Sequence, residues 1–297
     1  VKKFARVGRA KSFGQRLRAF AAFRPADFQP RIGLQLGLTD PVCGLNMGET
    51  AELLAREFGV TRAEQDMFAL QSHQRAVAAH DRLVEEICPV FPGLQSTTTI
   101  TQDNGPRASQ SREALAGLKP VFDHKNGTVT AGNASQITDG AVALLVMSEE
   151  RAGELGCTPL GALTGYAYAG CDPARMGLGP LFAMAQAGAQ TGLGPAQADL
   201  IEINEAFAAQ VLAVMKGAVS EKFARDRLHR KDALGEIPLE KLNVNGGAIA
   251  LGHPVGATGA RLVLTGLKEL QRRKAKRALV TLCVGGGQGA ALWLERI

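Results

Sequence analysis

The stretch Asn243-Val244-Asn245-Gly246-Gly247-Ala248-Ile249-Ala250-Leu251-Gly252-His253-Pro254-Val255-Gly256-Ala257-Thr258-Gly259 most constrains what this chain can fold into. Five glycines surround one histidine, and the chain then runs into Leu262, Val263, Leu267 and Leu270 at helical spacing. Glycines at that density let a backbone turn sharply and approach a ligand closely. The pattern predicts His253 on a tight loop that feeds a buried helix. Beyond it, Ala278-Leu279-Val280-Thr281-Leu282 reads as a short strand ending in Cys283-Val284-Gly285-Gly286-Gly287. A second glycine-rich loop thus carries a cysteine at the end of a strand. Taken singly, each loop reads equally well as a structural turn, with Cys283 an inert buried thiol. Taken together they make a candidate active site.

The 297 residues, 45% hydrophobic with 35 glycines, suit an α/β protein large enough for one big core or two moderate ones. No run is long enough for a membrane span and no signal-peptide pattern opens the chain, so a cytoplasmic location is expected. The five cysteines (43, 88, 157, 171 and 283) are odd in number and lack metal-type spacing, and they read as reduced thiols. The net charge of +6 is local: residues 1–32 hold nine Lys/Arg and one Asp, leaving 25 basic against 27 acidic residues elsewhere. That distribution argues against a nucleic-acid partner. The chain begins with Val, which reads as a fragment, a trimmed product or a non-standard start.

In the basic arm, Phe4, Phe13, Leu17, Phe20 and Phe23 fall on one side of a helix. It suits a solvated helix packed on its own domain, or an amphipathic helix for a membrane surface or a partner. Pro25 and Pro30 then break regular structure. Thr50 is expected to open a helix through Phe58, and the capping box Thr61-Arg62-Ala63-Glu64 another, running to about Val84 with His73 and His80 in surface or structural roles. A polar loop follows from Gln95 to Arg112. Asp139 to Ser148 ends in a continuous apolar run, as in a strand buried on both faces. The pattern Val129-Thr130…Asp139-Gly140-Ala141-Val142 echoes Val280-Thr281…Gln288-Gly289-Ala290-Ala291, suggesting two related halves that meet near Cys157-Thr158-Pro159. In the second half Gly161–Gly170 reads as a strand, Leu181–Thr191 as a helix and Asp199–Ile203 as a strand. Asn204 then opens a helix in the N-cap position. It also stands at the carboxyl end of a strand, where open α/β sheets place ligands.

Asn204-Glu205-Ala206-Phe207, Gly252-His253-Pro254 and Cys283-Val284-Gly285-Gly286-Gly287, in this order, resemble the three catalytic loops of the thiolases, the acyl-CoA C-acyltransferases. Gly127 to Ser135 resembles a further family segment, and Asn46-Met47-Gly48-Glu49-Thr50-Ala51-Glu52 another, with Asn46 where many members carry histidine. The match runs from about Gly44 to Ile297. The arm with Gln15-Arg16-Leu17-Arg18-Ala19-Phe20 is similar to that of fatty-acid β-oxidation thiolases that associate with a multifunctional partner.

The resemblance implies thiolase-like duplicated βαβαβ halves with five-stranded mixed sheets, the first half incomplete, plus a helical loop region. The expected division is 1–125 for the arm and loop region, 126–157 for the end of the N-terminal domain and 158–297 for the C-terminal domain. It implies Claisen condensation or thiolysis of 3-ketoacyl-CoA, with coenzyme A thioesters as substrates and no cofactor or metal. His253 would activate a nucleophilic cysteine and Cys283, with a lowered pKa, would be the acid/base. Asn204 would hold a water at the enolate oxygen, and the Gly285 amide would face the thioester oxyanion. Ser135, Met47 and Phe207 would bind substrate. The family's acyl-accepting cysteine lies in a Cys-x-Ser-Gly-type motif found nowhere in these residues; Cys43 and Cys88 do not match it. The expectation is a chain lacking that N-terminal part and inactive alone, a homo-oligomer (dimer or tetramer) with a β-oxidation subunit as candidate partner. The alternative is a non-catalytic truncated paralogue that binds CoA esters or a partner subunit.

Overall fold

The computed structural model describes residues 2–29, 32–93 and 98–297, so Pro30 and the first residues of the expected polar loop, 95–97, lie outside the described part. It divides into two units, Val1–Thr39 and Asp40–Ile297. In the first, the single amphipathic helix suggested by the phenylalanines is two, Lys2–Arg9 and Phe13–Ala21. The break follows from Ser12, whose hydroxyl accepts the amide of Gln15 and so caps a new helix. Phe4 packs edge-on against Phe23, ring centroids 4.8 Å apart, while Phe13 and Leu17 stay exposed.

The second unit is built on one mixed sheet. Strand β1 (Ala162–Gly170), β2 (Leu200–Ile203), β3 (Arg277–Val284) and β4 (Gln288–Glu295) lie in the order β1-β4-β3-β2. β2 runs parallel to β3, and β4 is antiparallel to both β3 and β1. Side chains alternate between faces with period two. Leu279, Ala291 and Trp293 therefore join the helix Gly179–Thr191 in one core, while Ala278, Val280 and Leu294 join Leu262, Leu267 and Leu270 of the helix Thr258–Arg273 in another. A sheet covered on both faces explains why β2 and β3 are apolar almost throughout.

Four strands are described where five were expected. On the outer edge of β2 a single parallel bridge forms, Ile201 to Leu242. It stops there because Asn243 turns left-handed (φ 44°) and its side chain takes over both polar groups of Ile203. Oδ1 accepts the Ile203 amide at 2.8 Å, and Nδ2 donates to the Ile203 carbonyl at 2.9 Å.

The expected buried strand at Asp139–Ser148 is also corrected. Residues 139–148 take no regular structure and join no ladder, with Leu145 84% and Val146 82% exposed. The echo between halves is therefore one of sequence, not of paired strands. Periodicity records that a run is apolar, whereas a strand exists only where a neighbour supplies hydrogen bonds.

Helix starts shift where a better cap lies upstream. Asn46 caps Met47–Glu57, its Oδ1 accepting the Gly48 amide while Glu49 takes the Asn46 amide at 2.6 Å, and this box overrides Thr50. The Thr61 capping box forms, opening Arg62–Ala78; a second short helix, His80–Val84, follows where one continuous helix was expected. His73 is buried and structural, its Nδ1 accepting the Arg107 amide at 3.2 Å, and His80 is exposed.

Candidate active site

Asn204 follows the last residue of β2, and its amide donates to the Thr281 carbonyl on β3 at 3.1 Å. The residues after it are not yet helical, and the helix begins at Ala208 with Phe207 in the cap position. The N-cap role expected of Asn204 is thereby corrected. A bridge between Ala134 and Phe207 and the Ser135 amide on the Ala206 carbonyl (3.0 Å) hold residues 204–207 out of the helix. Freed from capping, the Asn204 side chain points across the site, with Nδ2 3.2 Å from Nε2 of His253.

His253 is placed by the one-turn helix Ala248–Leu251 and by Gly252, which turns the chain at φ 96°, a conformation L side chains rarely adopt. Its ring is oriented from the far side by Thr258. The Thr258 hydroxyl donates to the Pro254 carbonyl (3.0 Å) and so presents lone pairs to Nδ1, 2.7 Å away. Nδ1 is then the protonated nitrogen and Nε2 carries a lone pair, which accepts the Asn204 amide hydrogen. The electrostatics agree. Burial, helped by the Arg261 guanidinium, lowers the imidazole pKa to about 4, so the ring is neutral at pH 7.

Cys283 sits on β3, two residues beyond the Thr281 that pairs with Ile203, with its own partner Gly289 on β4. Its side chain is buried in a cluster with Ala134, Ala206 and Phe207, against which Met47 and Phe122 pack. Its expected low pKa is a correction. Burial pushes the thiol up to about 12, opposed by its own backbone amide and reinforced by Cys171, because desolvation of a thiolate outweighs one amide. Gly285 follows on the loop, its Cα facing the Met47 sulfur, and Ser135 is half-buried on the Gly127–Ser135 segment. Glu52 pins that segment by accepting the amides of Thr128 (2.9 Å) and Val129 (2.9 Å). Asn204 and His253 thus touch directly, and Met47, Phe207 and Cys283 share one buried cluster. Cys43 lies in the turn before helix Met47–Glu57, and Cys88 is exposed.

Sequence reasoning passed over Thr258, Ser72, Asn243 and Glu205, all buried and polar. A threonine five residues after the histidine, at the start of an apolar helix, was the available signal for the first. The others are recognisable only from their partners.

Profiles of the thiolase N-terminal domain and the thiolase C-terminal domain match residues 24–150 and 157–296. The chain belongs to the thiolase family. A 3-ketoacyl-CoA thiolase of Serratia proteamaculans is 43% identical over 296 residues, covering 97% of this chain and 66% of the relative. One from Escherichia fergusonii is 44% identical over 302 residues, covering 99% and 68%. Among solved structures, the acetyl-CoA acetyltransferase of Bacillus anthracis superposes with a TM-score of 0.79 at 40% identity, covering 93% of this chain and 68% of that one. Human mitochondrial 3-ketoacyl-CoA thiolase in complex with CoA gives 0.75 at 38%, covering 92% and 67%. The thiolase chain described here spans about two thirds of the length of these relatives. Among its described residues no helix is long and apolar enough to cross a membrane, and no cluster of His, Cys, Asp or Glu could hold a metal ion.

Proposed function

We propose that these residues form the acid/base half of an acyl-CoA C-acyltransferase site acting on 3-ketoacyl-CoA and acetyl-CoA, as in β-oxidation. The observation that carries the reading is the Asn204–His253 pair: a neutral imidazole held in one tautomer, with an amide donor on its lone pair. Once Nε2 has taken a proton from the attacking thiol it is a second donor beside the Asn204 amide, and the two can then hold a water or a thioester oxygen and stabilise the charge that grows there. A positioned donor of this kind is worth about 3–4 kcal/mol in other enzymes.

In thiolysis a thiolate attacks the 3-keto carbon, the C2–C3 bond breaks, and its electron pair passes to C2 as the enolate of acetyl-CoA. Cys283, protonated at neutral pH because it is buried, gives its proton to C2. Condensation runs the same steps backwards, with the Cys283 thiolate taking the C2 proton. Nε2 of His253 is the base that takes a proton from the attacking thiol, the Gly285 amide receives the thioester oxyanion, and Ser135, Met47 and Phe207 border the acyl and pantetheine path. The reaction calls for no metal or redox cofactor.

None of the five cysteines stands in a Cys-x-Ser-Gly context, so none is assigned as the acyl acceptor. That observation favours a second reading for these residues alone, the binding and polarisation of CoA thioesters without turnover. Association into a homo-oligomer, and with a multifunctional β-oxidation subunit through the basic arm, are further parts of the proposal, as is a cytoplasmic setting.

The test is α-proton exchange. Acetyl-CoA incubated with the chain in D2O should gain deuterium at its methyl group, read by mass spectrometry. Exchange should be lost in Cys283→Ala and reduced in Asn204→Ala. Absence of exchange above a protein-free control would sink the acid/base assignment.

A further inference from the structure

The Glu205 carboxylate is almost fully buried, and no step of the proposed chemistry uses it. It lies where three segments meet. Oε1 accepts the Asn243 side-chain amide at 2.7 Å. Oε2 accepts the Ser72 hydroxyl at 2.6 Å and the backbone amide of Ile249 at 3.2 Å. Ser72, on the helix Arg62–Ala78, accepts in turn the Gly247 amide at 3.1 Å. Gly247 must lack a side chain here, because a Cβ would overlap the Glu205 carboxylate.

Glu205 is the next residue after Asn204, whereas Gly247 and Ile249 begin the one-turn helix that ends at Gly252 and His253. One carboxylate therefore ties the segment bearing the amide donor to the segment bearing the imidazole. Asn243 adds a second tie, since it also holds both polar groups of Ile203, the residue before Asn204. Burying a carboxylate is costly unless its oxygens are paired. A retained, fully bonded one at this junction fixes geometry that apolar packing alone would leave adjustable.

We propose that Glu205 is a positioning residue, acting with Ser72 and Asn243 as a clasp that sets the Asn204–His253 contact. The proposal rests on the reading of that pair as the working centre. The clasp requires a carboxylate, because an amide has one acceptor oxygen where this site uses two. In Glu205→Gln one NH2 group must face either the Asn243 amide or the Ser72 and Ile249 donors. One tie then opens, and His253 is released from Asn204 and admitted to solvent.

The experiment follows the imidazole, without any CoA ester. The full chain, labelled with 15N and 13C in histidine, is titrated by NMR, with the His253 signals assigned by their loss in His253→Asn. In the unmodified chain His253 should stay neutral, with Nδ1 protonated, to well below pH 6. In Glu205→Gln its titration should move up by about one pH unit or more, toward the ordinary value of about 6.5, and the two ring-nitrogen shifts should converge as the tautomers mix. Leu270→Ala, which removes core packing on the opposite face of the sheet, should lower the melting temperature and leave the His253 titration and tautomer unchanged. If Glu205→Gln does not fold, Ser72→Ala gives the same readout with less disruption. A folded Glu205→Gln or Ser72→Ala whose His253 titrates as in the unmodified chain overturns the clasp. Failure of deuterium exchange with the clasp intact would count against the catalytic reading alone.

Discussion

The amide nitrogen of Asn204 and Nε2 of His253 lie 3.2 Å apart although 49 residues separate them in sequence. Neither group is placed by its own loop alone. Asn204 hangs from the Thr281 carbonyl on β3, and His253 is held from behind by Thr258. The pair is thus a junction of β2, the sheet's central hydrogen bonding and the first turn of the helix Thr258–Arg273.

The first prediction concerns acid. Burial lowers both His253 and His73 to about 4, assisted by Arg261 and Arg107 respectively. Each imidazole binds its proton more readily unfolded than folded, so between about 6.5 and about 4 the unfolded state holds more protons. Stability is therefore complete above that window and falls as pH drops through it, by up to roughly 3 kcal/mol per imidazole. Urea unfolding from pH 7.5 to 4.5, repeated at about every half pH unit, should show this slope, and His73→Gln should make it shallower. An equal slope in the variant would count against the assignment.

Glu202 predicts the opposite sign at the alkaline end. Burial, helped by the neighbouring Glu205, Glu86 and Glu269 and opposed by Arg261, raises its pKa to about 8. The folded chain then holds a proton that the unfolded chain releases above about 4.5, so this group's contribution is present at low pH and lost as pH rises through about 8. Glu202→Gln cannot ionise. It should melt higher than the unmodified chain at pH 8.5, with the difference shrinking at pH 6; no difference at either pH would refute the assignment.

These groups show where sequence reasoning ends. The two glycine-rich loops, the strands read at 161–170, 199–203 and 278–282 and the Thr61 capping box were legible because turn residues, apolar periodicity and caps act locally. Asn204 was misplaced as a helix cap because the competing interactions come from Ala134, Ser135 and His253, distant in sequence. Glu205 was unreadable for the same reason: its partner Ser72 lies 133 residues away. The Cys283 pKa was expected low from neighbouring amides and an imidazole, and burial, which no local pattern reports, decides it instead.

Cys283 gives a third prediction. A thiol held near 12 and buried at the end of β3 offers little thiolate and little access to a reagent. Iodoacetamide at pH 8 should modify the exposed Cys88 and Cys157 first, leaving Cys283 unlabelled until denaturant is added. Peptide mass spectrometry against time distinguishes them. Labelling of Cys283 as fast as Cys157 would mean that the native site holds the thiolate, contrary to its burial.

The last prediction turns on residues 141–147. Ala-Val-Ala-Leu-Leu-Val-Met is apolar throughout, yet it joins no ladder and leaves Leu145 and Val146 more than four-fifths exposed. Two costs coincide there: apolar area left in water, and backbone amides and carbonyls open to any strand that can pair with them. Each is relieved by association, and the sequence has the β-branched, uncharged character that favours strand pairing. The chain should therefore self-associate as its concentration rises. Leu145→Lys with Val146→Lys should reduce that association, since a charge on each face makes pairing costly, while leaving the melting temperature nearly unchanged because neither side chain touches the core. Light scattering across a dilution series, run beside a thermal melt, measures both. A dilution-independent monomer in the unmodified chain would show that residues 141–147 are already satisfied within one molecule, and an unchanged association in the double variant would place the contact elsewhere on the surface.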